Sequence, residues 1–246
     1  MKKRFAGCKV VLGLLTILVA GVSNAETSKA SGHSAKKLDQ SSSKKGVAKN
    51  YDEMVTVPAG KFTFGRPGST KEISLPAFLI DKYEVTNKQF AKFNLDHRYD
   101  KGGDNYPVTM INFVQASDHC AALDKRLPTE QEWEKAARGA DGRTYPWGKK
   151  FDRMRCVTKE SDPPVGGQTA IIAPVGSCEG GDSPYGVADM AGNVWEWTST
   201  MEDRYSVLKG GSFFEDSIYA TTYNNLLSIP DDAKDYVGFR CVKDVK

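Results

Sequence analysis

Residues 107–148, PVTMINFVQASDHCAALDKRLPTEQEWEKAARGADGRTYPWG, carry two helix starts and one helix stop. Asn112 with Gln115 three residues later is a capping-box pair, and so is Thr129 with Glu132. In each pair the first side chain accepts from the amide three residues on, and the second reaches back to the cap. After Asn112, two lines of residues run along the helix. Phe113, Ala116, Cys120 and Leu123 form the more apolar one and are predicted to face the core; Val114, Ser117, Ala121 and Asp124 form the other. After Thr129, Trp133, Ala136 and Ala137 make a narrow apolar stripe, and Gly139 is placed to end the helix.

Upstream, Thr86 and Gln89 form a third capping box, with Phe90 and Phe93 on one face of a short helix. Before it, 54–58 reads as a strand, 61–65 alternates as a half-buried strand should, and 73–83 contains a further extended stretch. Beyond Gly148 the chain is rich in Gly, Pro and Asp, with short apolar pieces and no long helical period. The predicted class is α+β, with little regular secondary structure.

The N-terminus reads differently. Met1-Lys2-Lys3-Arg4, the apolar run 10–22 and Ser23-Asn24-Ala25 have the order of a cleavable export signal, 1–25; an uncleaved anchor is the alternative. Residues 26–50 are Ser- and Lys-rich and too polar to offset their own ordering entropy, so they read as a flexible tether. The folded domain is then 51–246, and the expected location is the periplasm. The whole chain has 34 basic and 31 acidic residues, but 51–246 has 24 against 29. A slightly acidic domain lacks the positive footprint that phosphate backbones require, which excludes nucleic acid as a partner.

Four cysteines remain after export: Cys120, Cys156, Cys178 and Cys241, with three possible disulfide pairings. No CxxC and no histidine cluster accompanies them, so bridges are favoured over a metal, and His119 beside Cys120 reads as a satisfied structural histidine.

With VPAGKFTFG (57–65), DKYEVTNKQFAKF (81–93), YGVADMAGNVWEWTS (185–199), KGGSF (209–213) and VGFRC (237–241), the 107–148 segment makes six pieces in one order. Together they resemble the formylglycine-generating-enzyme (sulfatase-modifying factor) family. The resemblance implies that family's variant of the C-type-lectin fold, stapled by disulfides. It implies a Cys120–Cys241 bridge, which leaves Cys156 and Cys178 for each other. It also implies a structural calcium held by Asp189, the Gly192 and Val194 carbonyls and Glu196; the family's second calcium site finds no clean ligand pattern in 151–172. Carboxylate and carbonyl oxygens are the hard donors that Ca²⁺ takes.

Active members of the family resemble one another in GGS-x-x-C-x-x-x-x-C, whose two thiolates bind Cu(I) and activate oxygen. Here Gly210-Gly211-Ser212 is followed by Glu215 and Ala220 at the two cysteine positions. A soft ion finds no ligand in a carboxylate and a methyl group, so no copper and no catalytic residue is expected. The old cleft, with Trp195, Ser212, Glu215 and Ala220, reads as vestigial, and Glu215 and Asp216 as a solvated acidic rim. The expected function is a non-catalytic regulatory protein. An exported, tethered member of this kind resembles a periplasmic regulator of the phosphorylation pathway of type VI secretion. That implies a periplasmic protein partner: the extracytoplasmic domain of a membrane Ser/Thr kinase, promoting its activation, or an outer-membrane lipoprotein, with association at that membrane. An enzyme of altered chemistry, such as a maturation factor for a secreted metabolite, is the alternative. Lectin-type sugar binding ranks last, because the Glu-Pro-Asn or Gln-Pro-Asp triplet with a downstream Trp-Asn-Asp is missing.

Overall fold

The three capping boxes form as their spacing dictates. In a computed structural model that describes residues 48–161 and 171–245, α1 (Asn87–Phe93), α2 (Phe113–Ala122) and α3 (Glu130–Arg138) begin after Thr86, Asn112 and Thr129. Each cap side chain accepts from the third amide of its helix, satisfying donors that the helix cannot. Gly139 ends α3 with φ 69°, a left-handed backbone that glycine enters without steric cost. The proposed export signal and nearly all of the proposed tether lie outside the described residues. Among the described residues, no helix is long and apolar enough to cross a membrane.

Among the described residues, nine short strands make three sheets. β1 (Met54–Val57), β4 (Phe78–Asp81) and β9 (Val242–Asp244) form one antiparallel sheet in the order β1-β4-β9, so the two ends of the domain pair through β4. β2 (Gly60–Phe64) and β3 (Lys71–Leu75) form a hairpin. β5 (Trp195–Glu202), β6 (Tyr205–Lys209), β7 (Asn225–Ser228) and β8 (Val237–Gly238) make the third, in the order β7-β6-β5-β8, with β8 parallel to β5. The expected α+β class with few helices and many ordered loops is what the chain adopts.

The two largest apolar clusters among the described residues hold these elements together. Phe90 and Val108 pack with Ala116 and Cys120 of α2 against Trp195, Trp197 and Phe239. The α3 stripe of Trp133, Ala136 and Ala137 packs on Val57, Phe78, Ile80 and Val242. Deleting a buried aromatic of this kind typically costs about 3–5 kcal/mol. Leu123 is a correction. It caps α2 instead of extending its core line and is 50% exposed, because the helix ends at Ala122. His119 takes the inner position instead.

Charge is buried as well as hydrocarbon. Glu134 of α3 accepts from Arg138 Nη1 (2.7 Å), Lys209 Nζ (3.0 Å) and the Gly65 amide (2.7 Å), and both cations are almost fully enclosed. Arg138 also donates to the Thr63, Gly65 and Gly142 carbonyls. This network ties the β2–β3 hairpin to α3 and β6, and buried charges satisfied in this way fix one arrangement of the elements.

Candidate functional site

Gly210 and Gly211 lead β6 into the 212–220 loop with φ values of 106° and 76°. A Cβ on Gly211 would lie 2.8 Å from the Tyr219 carbonyl, so this close approach needs glycine. The loop folds back on itself: Ser217 accepts from Ala220 N, and Ser212 accepts from Glu215 N through their carbonyls. The Glu215 side chain turns inward. Its Oε2 accepts from Trp195 Nε1 (2.6 Å) and Ser212 Oγ (3.2 Å), and the Trp195 ring is fully buried. Burial raises the Glu215 pKa, and the bonds from Trp195 and Ser212 oppose the rise. Glu215 is therefore not part of a solvated rim, because an indole N–H within reach draws it in. Asp216 does lie in solvent, 3.5 Å from Lys159 Nζ.

Ala220 is 1% exposed and packs with Cys156 and Ala191. Its methyl group thus fills the second position of the old ligand pair. The neighbouring Cys156 thiol is pushed up to about 12 by burial, so it stays protonated and is no thiolate donor. A carboxylate held by an indole, a methyl group and a neutral thiol do not fit Cu(I). Around this loop Phe214, Ile218 and Tyr219 are left 41%, 66% and 43% exposed, with Phe214 edge-on to Tyr236 at 4.8 Å.

Below the loop, the 189–196 segment reverses through Asp189, Gly192 and Asn193, with φ of 57°, 80° and 62°. Asp and Asn tolerate this region better than other side chains, and a Cβ on Gly192 would strike the Val157 carbonyl at 2.2 Å. The segment ends on Glu196, fully buried in β5. Arg240 Nε and Nη2 grip Glu196 Oε2 and Oε1 at 2.8 and 2.7 Å, and Trp133 Nε1 donates to Oε2 at 2.7 Å. Arg240 also donates to the Asp81, Lys82 and Ala188 carbonyls.

Asp189 accepts from the Gly176 amide and shares a hydrogen bond with Glu84. Glu84 in turn accepts from Asn193 Nδ2 at 3.1 Å on each oxygen. Desolvation, with Asp189 close by, pushes the Glu84 pKa well up, and desolvation raises Asp189 too. With both Glu196 oxygens committed to a guanidinium and an indole, Asp189, the Gly192 and Val194 carbonyls and Glu196 do not fit Ca²⁺ as they stand. Among the described residues, no group of three or more acidic, His or Cys side chains is arranged to hold a metal.

Sequence patterns missed Arg240, Glu84 and Asn193 as members of this cluster. The only available signal was a fully apolar surround for Glu196, in Trp-Glu-Trp, which demands a counter-charge. The Cys120–Cys241 bridge is present, with Cα atoms 5.7 Å apart, joining α2 to the residue immediately before β9. Cys156 and Cys178 are free, which corrects their assignment to each other by elimination. Cys156 turns its thiol towards the Asp152 carbonyl, and burial raises the Cys178 thiol as well. His97 bonds to Asn87 Oδ1 at 2.9 Å, away from the loop, whereas His119 is buried with Nδ1 unpartnered, contrary to its reading as satisfied.

The sulfatase-modifying factor enzyme 1-like domain matches residues 39–245. The chain belongs to this family. Among curated relatives, the uncharacterized protein YfmG of Bacillus subtilis is 31% identical over 79% of this chain, and the chain spans 55% of its length. The inactive Cα-formylglycine-generating enzyme 2 of Bos taurus is 27% identical over 76% of this chain and 87% of its own. The serine/threonine-protein kinase Pkn1 of Chlamydia trachomatis is 30% identical over 79% of this chain but only 38% of its own. Among solved structures, PvdO from Pseudomonas aeruginosa matches with a TM-score of 0.66 at 22% identity, over 80% of this chain and all of that one. The sulfatase-modifying-factor fold, a C-type-lectin variant, is therefore that of this chain.

Proposed function

We propose that this family member is a non-catalytic binding and regulatory protein whose 212–220 loop is part of its contact surface. The observation that carries the reading is the state of the two ligand positions. The Glu215 carboxylate is drawn onto Trp195 and Ser212, and Ala220 is a buried methyl group. The same loop leaves three large apolar side chains in solvent, which suits a partner more than a reaction. An inactive relative exists, and in Pkn1 a similar domain occurs in a kinase chain. On this basis the partner is the extracytoplasmic part of a membrane Ser/Thr kinase, and binding promotes kinase activation in the type VI secretion phosphorylation pathway. The periplasm is the compartment, with an outer-membrane lipoprotein as a second contact. In this reading the buried 189–196 segment is organised by Arg240 and needs no calcium.

One feature favours the competing reading, an enzyme of altered chemistry: Glu215 is half-buried, with a raised pKa and a hydroxyl at 3.2 Å. An acid of that kind still needs a partner base. The histidines described, His97 and His119, lie in other pockets. Capture from a periplasmic extract with the wild-type protein and with Ile218→Asp tests the proposal. Recovery of a kinase by wild type and its loss with Ile218→Asp is expected; equal recovery by both would remove the loop from the interface.

A further inference from the structure

Residues 147–155, Trp-Gly-Lys-Lys-Phe-Asp-Arg-Met-Arg, set four basic side chains against one acid in a domain that is acidic as a whole. That acid is used locally. Asp152 Oδ1 accepts from the Met154 amide (3.1 Å) and Oδ2 from Arg155 Nε (2.9 Å), which shapes the turn. Lys149 and Lys150 are exposed and make no ion pair among the described residues. Met154 stands 57% exposed between Arg153 and Arg155.

The base of this surface is aromatic. Trp147 stacks on the buried Tyr145 at 5.4 Å and 9°, Phe151 packs on the same ring at 5.5 Å, and Trp147 Nε1 donates to the Lys150 carbonyl (3.0 Å). Trp147 and Phe151 are both half-buried. The chain enters the domain on the same side. Lys49 Nζ donates to the Val175 and Gly176 carbonyls (3.0 and 2.7 Å), and Arg155 Nη1 donates to the Gly180 carbonyl (3.2 Å). At most about 15 Å of backbone lies between Gly176 and Gly180. Residues 26–50, which lead in through Lys49, carry six Lys against two acids. The neighbouring acids turn elsewhere: Glu179 and Asp182 line a separate cleft with Lys82, and Glu160 accepts from the Ser217 amide (3.1 Å).

We propose that the 147–155 surface docks on a bilayer containing anionic phospholipid, with Lys149 and Lys150 at the headgroups, Met154 entering the acyl boundary and Trp147 at the interface. Positive charge alone suits any polyanion. The exposed Met154 selects lipid, because a thioether chain gains only where there is apolar volume to enter. The arginines on either side can lay their stems along that volume and keep their heads in water, and an indole with one apolar and one polar edge is at home at the boundary. Each Lys or Arg near an anionic membrane strengthens binding about fivefold. The Lys-rich segment ahead of Lys49 adds to the same attraction. The proposal does not rest on the kinase reading, since its occupant is lipid and its residues lie outside the 212–220 loop.

The test uses the exported protein with vesicles of phosphatidylcholine mixed with phosphatidylglycerol, against vesicles of phosphatidylcholine alone. Trp133, Trp195 and Trp197 are fully buried, so a change in emission on binding reports Trp147 and separates this face from the lysines of residues 26–50. Wild type is expected to bind the mixed vesicles with a blue-shifted emission and to leave the neutral ones alone. Release is expected as salt rises from about 0.1 M to about 1 M, where the Debye length falls from about 10 to about 3 Å. Lys149→Glu combined with Lys150→Glu is expected to weaken binding at least about 25-fold, and Met154→Asp to remove the blue shift. All three positions are exposed, so the melting curves are expected to match wild type. Dextran sulfate, a soluble polyanion, is expected to give no blue shift. Should a variant fail to fold, the wild-type emission on the two kinds of vesicle decides alone. Equal binding to neutral vesicles, an unshifted emission on the mixed ones, or the same blue shift with dextran sulfate would each overturn the proposal. So would wild-type affinity in the folded double variant or an unchanged shift in Met154→Asp.

Discussion

Replacing Arg240 with Met removes the counter-charge of Glu196 while keeping most of the buried volume. The side chain makes two bonds to Glu196 and three to the carbonyls of Asp81, Lys82 and Ala188, all in the interior. Breaking a buried pair from one side costs about 3–5 kcal/mol, because the other charge is left stranded. For a domain of this size that corresponds to a fall in melting temperature of roughly 6–20 °C. Glu196→Gln in the Arg240→Met background removes the stranded charge but keeps an oxygen for Trp133 Nε1. It is expected to recover much of the loss, giving a coupling of about 2 kcal/mol in a double-mutant cycle. Urea unfolding of the four proteins measures this directly. In wild type a calcium chelator is expected to leave the transition where it is. Additive single effects, an Arg240→Met loss below about 1 kcal/mol, or a chelator-induced fall in the wild-type transition would refute the view that Arg240 holds Glu196.

Three further outcomes follow from the same interior. Glu84 is raised in the folded state, so it favours folding below its unfolded pKa and loses that contribution as pH rises through the folded value. Glu84→Gln, which can still accept from Asn193 and donate to Asp189, is expected to raise the melting temperature at pH 7.5 and to make no difference near pH 4; equal effects at both would contradict the buried-acid assignment. His119 has the opposite sign. Its folded pKa of about 4 lies below the usual histidine value of 6.5, so stability is complete above pH 6.5 and is lost as pH falls towards 4. The loss amounts to as much as about 3 kcal/mol, and His119→Phe is expected to flatten this window in urea titrations. Alkylation of the denatured protein without reductant is expected to label Cys156 and Cys178 and to leave Cys120 joined to Cys241 in the peptide map; no labelling at all would show a second bridge.

Local chemistry is legible in the sequence, and long-range pairing only where a family motif carries it, as at Cys120–Cys241. Thr86, Asn112 and Thr129 announce their helices because a capping box spans only four residues. The family motifs carried the Cys120–Cys241 bridge, although it closes 121 residues of chain. The partners of Glu196 and Glu84 were invisible because they come from 44, 63 and 109 residues away, and no periodicity records such a meeting. The motif that suggests calcium ligands ends on a carboxylate that a distant arginine holds. Glu215 looked solvated because its neighbour in sequence, Asp216, is; only the fold brings Trp195 to it. Leu123 and His119 exchanged roles because α2 ends one residue before the apolar line does.

The most direct test of the regulatory reading compares Glu215→Ala, Glu215→Arg and Ser212→Ala for affinity to the kinase's extracytoplasmic domain and for kinase activation in cells. A contact surface tolerates small truncations and resists charge reversal, whereas losing a general acid or base costs about 10²–10⁴ in rate. The expected result is near-normal affinity and activation for the two alanine variants, with both properties falling together in Glu215→Arg. Activation abolished in Glu215→Ala while affinity stays at the wild-type value would contradict a non-catalytic role and point to chemistry at Glu215.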